Sequence, residues 1–112
     1  MAAGTKKNVR KSNGHRYRTT TARLRAEGRG CWICRAFGRP DAIDYTLPPL
    51  DPGAFEVDHL VPTSRGGSLY DPANLDATHR ACNEWRGNRS VPEVLEIARR
   101  SQGPAVRPTT DW

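Results

Sequence analysis

The three cysteines of the chain and one of its histidines fall into two pairs. Cys31 and Cys34 are separated by two residues, and so are His79 and Cys82. Zinc prefers thiolate and imidazole ligands, and this spacing lets one turn direct both side chains of a pair at the same ion. A redox pair is the alternative for Cys31 and Cys34, but such motifs begin a helix in a βαβ pattern that this sequence lacks. We therefore predict one structural Zn²⁺ site formed by all four residues.

The stretch between the two pairs contains a second set of residues suited to chemistry. Asp58 and His59 are adjacent there. A histidine with a pKa of about 6.5 is largely neutral at pH 7 and can accept a proton from water. The carboxylate of Asp58 is a hard ligand that suits Mg²⁺ or Mn²⁺. If residues 54–64 form a hairpin and residues 78–87 form a helix packed on it, Asn83 adds a second oxygen ligand. Base and cation together can hydrolyse a phosphodiester.

The order of these motifs resembles the HNH endonuclease family, over about residues 31–89. The resemblance rests on Cys31-Trp-Ile-Cys34, Val57-Asp58-His59, Asn74-Leu75 and His79-Arg-Ala-Cys82-Asn83. It is closest to a zinc-bearing branch common in bacteriophages, and Ile43-Asp-Tyr-Thr-Leu-Pro48 supports the same branch. The implied fold is a small α+β domain, in which a zinc-stapled ββα-metal (His-Me finger) core carries flanking helices and a disordered basic arm.

The resemblance also implies a role for each matching residue. His59 would be the general base, Asn74 would hold the loop and the base in place, and Asp58 and Asn83 would bind the catalytic metal. With asparagine at the third position, the chain is a His-Asn-Asn variant, so Mg²⁺ or Mn²⁺ is expected rather than a softer ion. Taken singly, Asp58, Asn74 and Asn83 are better explained as a surface acid, a turn residue and a helix cap. As an ordered set they favour an active site.

Positive charge is concentrated near the N-terminus. Residues 1–30 contain nine Lys or Arg and only one acid, Glu27. Such a segment is attracted to phosphate chains regardless of sequence, although a solvating tail or a localisation signal is also consistent with it. The candidate DNA contacts are Arg16, Arg18, Arg65, Arg86 and Asn88. For the last two, near a predicted helix end, simple solvent exposure is the more plausible alternative.

The local patterns predict three regions: a disordered arm over 1–18, the nuclease domain over 19–103, and a tail over 104–112. Within the domain we expect a short helix over 19–27 ending at Gly28, and a loop over 35–52 with at most one short strand near 43–45. A strand over 55–61 follows, then a helix over 78–86 capped by Thr78, and a last helix after Ser90, which forms a capping box with Glu93.

We therefore expect a metal-dependent DNA endonuclease with a structural zinc. The resemblance points to a phage-encoded enzyme in the bacterial cytoplasm, acting beside terminase or another packaging protein. No membrane association is expected, because no stretch is long and apolar enough to span one. The alternatives are a zinc-folded nucleic-acid-binding module whose active-site residues are vestigial, and an adaptor subunit that does not cut DNA itself.

Overall fold

The computed structural model describes residues 2–102, with side chains from residue 14 onward. It is a small α+β domain, as predicted; the expected tail over 104–112 lies outside the described residues. The regular elements are α1 (Ala2–Glu27), α2 (Trp32–Ala36), β1 (Phe55–His59), β2 (Leu75–His79), α3 (Arg80–Arg86) and α4 (Val91–Gln102). Two short 3-10 turns, Thr63–Arg65 and Pro72–Asn74, lie between the strands.

The sheet consists of β1 and β2 paired antiparallel, with Asp58 opposite Asp76 and His59 opposite Leu75. The expected hairpin over 54–64 is therefore wrong: the partner of β1 comes from residues 75–79, part of which we predicted as helix. Thr78 does not cap a helix, because its hydroxyl donates to the Glu56 carbonyl across the ladder. Helix α3 begins one residue after His79 and ends at Arg86, before Gly87, as predicted.

The two faces of β1 pack against different helices. Side chains alternate along a strand, and those of Glu56 and Asp58 contact α3 through Asn83 and Arg86, at 3.0 Å and 2.6 Å. The opposite face carries Phe55 and His59. The guanidinium of Arg25 lies over the Phe55 ring, and the Tyr17 ring stacks on His59. The sheet is thus enclosed between α1 and α3.

Helix α1 ends where the sequence predicted, with Gly28 in the left-handed region at φ 64°. Its start differs from the expectation, because residues 14–18 lie in the helix rather than in a disordered arm. Contacts with the domain explain the difference. Arg16 donates a hydrogen bond of 3.1 Å to the Tyr70 hydroxyl and lies over its ring, so this part of α1 is packed against the residues that follow β1.

The main apolar cluster surrounds the Cys31–Cys34 motif and includes Trp32, Ile33 and, from α4, Val94. Helix α4 begins with the predicted capping box, in which Ser90 and Glu93 exchange side-chain to backbone hydrogen bonds of 2.7 and 3.1 Å. The short helix α2 was not predicted, and no strand forms over residues 43–45. None of the helices in the described part of the chain is both long and apolar enough to cross a membrane.

Candidate functional site

The two predicted ligand pairs meet in one cluster. The ligand atoms of Cys31, Cys34, His79 and Cys82 all lie within 4.8 Å of one another. Cys34 Sγ is 3.6 Å from Cys82 Sγ and 3.4 Å from His79 Nδ1, and Cys82 Sγ is 3.8 Å from the same nitrogen. A tetrahedral zinc with Zn–S bonds of about 2.3 Å requires sulfur separations of about 3.8 Å. The predicted site therefore fits Zn²⁺ in both chemistry and dimensions.

Hydrogen bonds around the cluster prepare its ligands for a cation. His79 Nε2 is 2.9 Å from the Ala42 carbonyl, which can only accept, so the hydrogen lies on Nε2 and Nδ1 faces the cluster. The Cys31 sulfur accepts from the backbone N–H of Cys34. Burial, with Cys31 and Cys34 close by, raises the pKa of the Cys82 thiol to about 12. Zinc binding must therefore displace protons, and the affinity for zinc is expected to fall as the pH falls.

His59, the predicted base, has one ring nitrogen engaged. Its Nε2 lies 2.9 Å from the carbonyl oxygen of Leu69. Because a carbonyl can only accept, Nε2 carries the hydrogen of the neutral ring, and Nδ1 keeps a lone pair. The Tyr17 ring is nearly parallel to the imidazole, with 5.9 Å between the ring centroids and 10° between the planes. These two contacts fix the tautomer and the plane of the ring.

Asn74 holds the loop between β1 and β2 closed. Its Nδ2 donates to the carbonyls of Val61 and Ser68 at 2.9 Å, and its Oδ1 accepts from the Val61 N–H at 2.8 Å. The loop passes so close to itself that a Cβ added at Gly67 would lie 1.8 Å from the Val61 oxygen. Asn74 therefore positions the loop segment that carries the Leu69 carbonyl.

Asp58 is only 5% exposed, and its carboxylate is partly engaged. Its Oδ2 accepts from the Trp32 indole at 2.7 Å and from the Arg86 guanidinium at 2.6 Å. Its Oδ1 has no hydrogen-bond partner among the described residues, where no fully buried side-chain N or O atom lacks one. The Oδ1 atom therefore keeps contact with solvent.

Asn83 lies on the same side of the sheet as Asp58. Its Nδ2 donates a 3.0 Å hydrogen bond to Glu56 Oε1, so its amide oxygen points away from that carboxylate. Glu56 also contacts Arg80 at 3.4 Å. Glu56 was not predicted as a site residue, although alternation along β1 places it on the same face as Asp58 and could have indicated it.

Two oxygen atoms are thus available for a hard cation, Asp58 Oδ1 and Asn83 Oδ1. This donor set fits Mg²⁺ or Mn²⁺, which commonly take few protein ligands and complete their coordination with water and phosphate. Among the described residues, the Cys and His cluster is the one group with three or more His, Cys, Asp or Glu ligands close together. His59 is the last residue of β1 and lies on the opposite face of the strand from Asp58.

The sequence model of the HNH endonuclease family matches residues 31–89, from the first zinc ligand to the residues after α3. The chain belongs to the HNH endonuclease family. The match covers just over half of the chain, both ligand pairs and the whole ββα unit of this HNH domain. A comparison with curated proteins found no significant match, and neither did a comparison with solved structures. Helices α1 and α4 both lie wholly outside the matched residues.

The HNH family binds DNA, and most of the predicted DNA contacts are accessible in this member. Arg16, Arg18, Arg65 and Asn88 are exposed. Arg86 was wrongly predicted as a DNA contact, because it is only 2% exposed and its guanidinium is hydrogen-bonded inside the domain. In addition to Asp58, it binds the carbonyls of His59, Leu60 and Arg89. These acceptors come together only in the folded chain, so no local pattern indicates them.

Proposed function

We propose that this HNH protein hydrolyses phosphodiester bonds in DNA, with His59 as the general base. The observation that carries the proposal is the hydrogen bond from His59 Nε2 to the Leu69 carbonyl. It leaves Nδ1 as the atom that accepts a proton, and a neutral imidazole can take that proton from water near pH 7. The stacked Tyr17 ring keeps the imidazole from turning away.

Asn74 acts in this proposal as a positioning residue. It ties Val61 to Ser68, and Leu69 follows directly. Loss of the amide would release the carbonyl that sets the tautomer of His59. The expected result is a lower rate constant for cleavage with little change in DNA affinity.

Asp58 and Asn83 would hold Mg²⁺ or Mn²⁺ through their free oxygen atoms. The cation, when bound, offsets the negative charge that grows on the phosphoryl group and on the leaving oxygen. The residues around it prepare the two ligands: Trp32 and Arg86 hold one oxygen of Asp58, and Glu56 holds the amide nitrogen of Asn83. Arg65, Asn88 and Arg16 would contact the DNA backbone, because they are exposed, and the exposed Arg18 would add a weaker, long-range attraction.

The test is plasmid nicking by zinc-loaded wild type and His59→Ala, each with Mg²⁺, Mn²⁺ or EDTA. We expect cleavage only with a divalent cation, and a loss of about 10²–10⁴-fold in rate for His59→Ala, as for removal of a general base. Added imidazole should restore part of that rate, whereas it should not affect wild type. Zinc content and the unfolding temperature of the variant serve as controls for folding. Unchanged cleavage by a folded His59→Ala variant would refute the proposed base.

A DNA-binding module without cleavage activity is the second candidate. The observation that favours it is the buried pair of Asp58 and Arg86, whose side chains are 7% and 2% exposed. The guanidinium already neutralises the carboxylate charge that would attract a metal cation. This candidate predicts DNA binding that is insensitive to Mg²⁺ and no cleavage with any cation. The nicking assay separates the two candidates.

We also propose that the enzyme is phage-encoded and works beside a packaging terminase in the bacterial cytoplasm. The support is the likeness of the Cys31-Trp-Ile-Cys34 and Ile43–Pro48 stretches to phage-type HNH proteins. Co-purification with a co-expressed phage terminase, in a stoichiometry that DNase treatment does not change, would support this role. Recovery no greater than that of an unrelated basic protein would contradict it.

A further inference from the structure

A polar groove runs between α1 and the loop that follows β1. Its volume is about 590 Å³. It is lined mainly by Arg16, Thr19, Thr20 and Arg23 from the helix and by Ser68 and Tyr70 from the loop. We call it the α1 groove. On α1, the lining residues recur at spacings of three and four, so they form one face of the helix. The helix wall of the groove, over residues 16–23, lies outside the matched family region, whereas the loop wall lies inside it.

The α1 groove lies next to the proposed base. Tyr17, which stacks on His59, is flanked by the lining residue Arg16. Leu69, whose carbonyl binds His59 Nε2, lies between the lining residues Ser68 and Tyr70. On each wall of the groove, a residue that is adjacent in sequence to a lining residue therefore contacts His59. A chain of phosphates in the groove would pass beside this histidine.

The groove presents hydrogen-bond donors that the protein does not use. Arg23 makes no hydrogen bond, salt bridge or cation–π contact with another side chain in the described part of the chain. One guanidinium nitrogen of Arg16 donates to the Tyr70 hydroxyl, and the other N–H groups remain available as donors. The Ser68 oxygen accepts from two backbone N–H groups, of Tyr70 and Asp71, so its hydroxyl hydrogen is free.

The charge of the groove also favours an anion. Its lining contains two arginines and one acid, Asp71, besides His15. The Asp71 carboxylate accepts from the backbone N–H of Ala73 and caps the turn at Pro72–Asn74. Unused cationic and hydroxyl donors in an open polar groove are typical of contacts to phosphate oxygens, which fix register rather than read bases.

We propose that the α1 groove binds the DNA phosphodiester backbone that flanks the bond to be cut, through Arg23, Arg16 and Ser68. The position of the groove beside the bond to be cut rests on the proposed function, whereas DNA binding by the groove can be measured without cleavage. It assigns α1 the task of aligning the strand with His59. Arg18 lies on a different face of α1 and does not line the groove.

The test compares single-charge variants in a DNA-binding assay. Full-length, zinc-loaded protein carrying His59→Ala is titrated into a fluorescein-labelled duplex without Mg²⁺, and the anisotropy is followed at several salt concentrations. Arg23→Gln should make the negative slope of log K against log[salt] less steep by about 0.9, which corresponds to a roughly eightfold weaker affinity at about 0.1 M salt. Arg100→Gln on α4 is the matched control, because Arg100 is exposed and bound only to Glu96 among described side chains; it should leave the affinity unchanged.

Arg18→Gln distinguishes a groove from diffuse attraction, and we expect it to weaken binding clearly less than Arg23→Gln. Equal losses for the two variants, or an unchanged affinity for Arg23→Gln, would overturn the proposal. If cleavage proves independent of His59 while the difference between Arg23 and Arg18 persists, the proposed base fails and the groove stands. If cleavage requires His59 but the two variants bind alike, the groove fails and the proposed function stands.

Discussion

Replacement of Arg86 by methionine tests the buried network behind the candidate active site. The side chains of Arg86 and Asp58 are 2% and 7% exposed, and their contact is 2.6 Å. Removing one partner of a buried ion pair leaves the other charge without compensation and costs about 3–5 kcal/mol. The carbonyls of His59 and Leu60 also lose their donor, at a cost of about 1–3 kcal/mol each where water does not replace it.

A loss of at least about 3 kcal/mol is therefore expected from Arg86→Met. This is a large part of the total of about 5–15 kcal/mol that holds an ordinary domain together. At about 4–8 °C per kcal/mol for a domain of this size, the unfolding temperature should fall by about 12–24 °C. Urea unfolding of zinc-loaded protein, followed by circular dichroism, measures the free energy directly.

The control is Arg100→Met, where the guanidinium is exposed and surface substitutions change stability by less than about 0.5 kcal/mol. The double variant Asp58→Asn with Arg86→Met removes the stranded charge as well, so its loss should be smaller than the sum of the two single losses. A loss below about 1 kcal/mol for Arg86→Met, with an unchanged m-value, would refute the reasoning. It would mean that Asp58 exchanges its arginine for water at little cost.

Two further predictions concern the zinc and the loop. Cys82→Ser should remove one zinc ligand and unfold most of the domain, because zinc supplies folding free energy that the small core lacks; zinc content and circular dichroism measure this, and a zinc-free variant with native stability would contradict it. Gly67→Ala places a Cβ 1.8 Å from the Val61 oxygen and should open the loop that Asn74 closes. It should therefore slow cleavage, whereas Leu95→Ala on exposed α4 surface should not, and equal rates in the nicking assay would show that the loop geometry is not required.

The zinc site and the capped helix were predictable because their signals are local. Two ligand pairs, each with a spacing of two residues, point to one ion whatever fold connects them. Ser90 and Glu93 make a capping box from residues within one turn, so the start of α4 follows from four consecutive positions. In both cases the residues that carry the signal lie within a few positions of one another. Tertiary structure only brings the segments together.

Strand β2 was missed because its signal is not local. Thr78 is a good helix cap in isolation, and residues 78–86 look helical from there. In the fold, pairing with β1 engages the backbone of residues 75–79, and burial of Leu75 and Ala77 stabilises the extended form. Tertiary pairing therefore outweighed the local preference at Thr78, and the helix begins at Arg80 instead.

The predicted solvent exposure of Arg86 was wrong for a related reason. A charged residue near a helix end is usually solvated, because burial of an unpaired guanidinium is costly. Here the fold supplies a carboxylate and three carbonyls, from Asp58, His59, Leu60 and Arg89, and these satisfy the guanidinium almost completely. None of these acceptors is identifiable from residues 80–86 alone.

The same network ties the zinc site to the end of β1. Trp32 lies between the ligands Cys31 and Cys34 in the sequence. Its indole N–H donates to Asp58 Oδ2, the oxygen that also accepts from Arg86. Loss of the zinc would release Cys31 and Cys34 at the start of α2, so the indole of Trp32 would be held less firmly against Asp58. Perturbations of the metal site and of Arg86 therefore act on a shared carboxylate, and their effects on stability should not add. In a domain this small, the structural metal and the candidate active site are not separate parts of the protein.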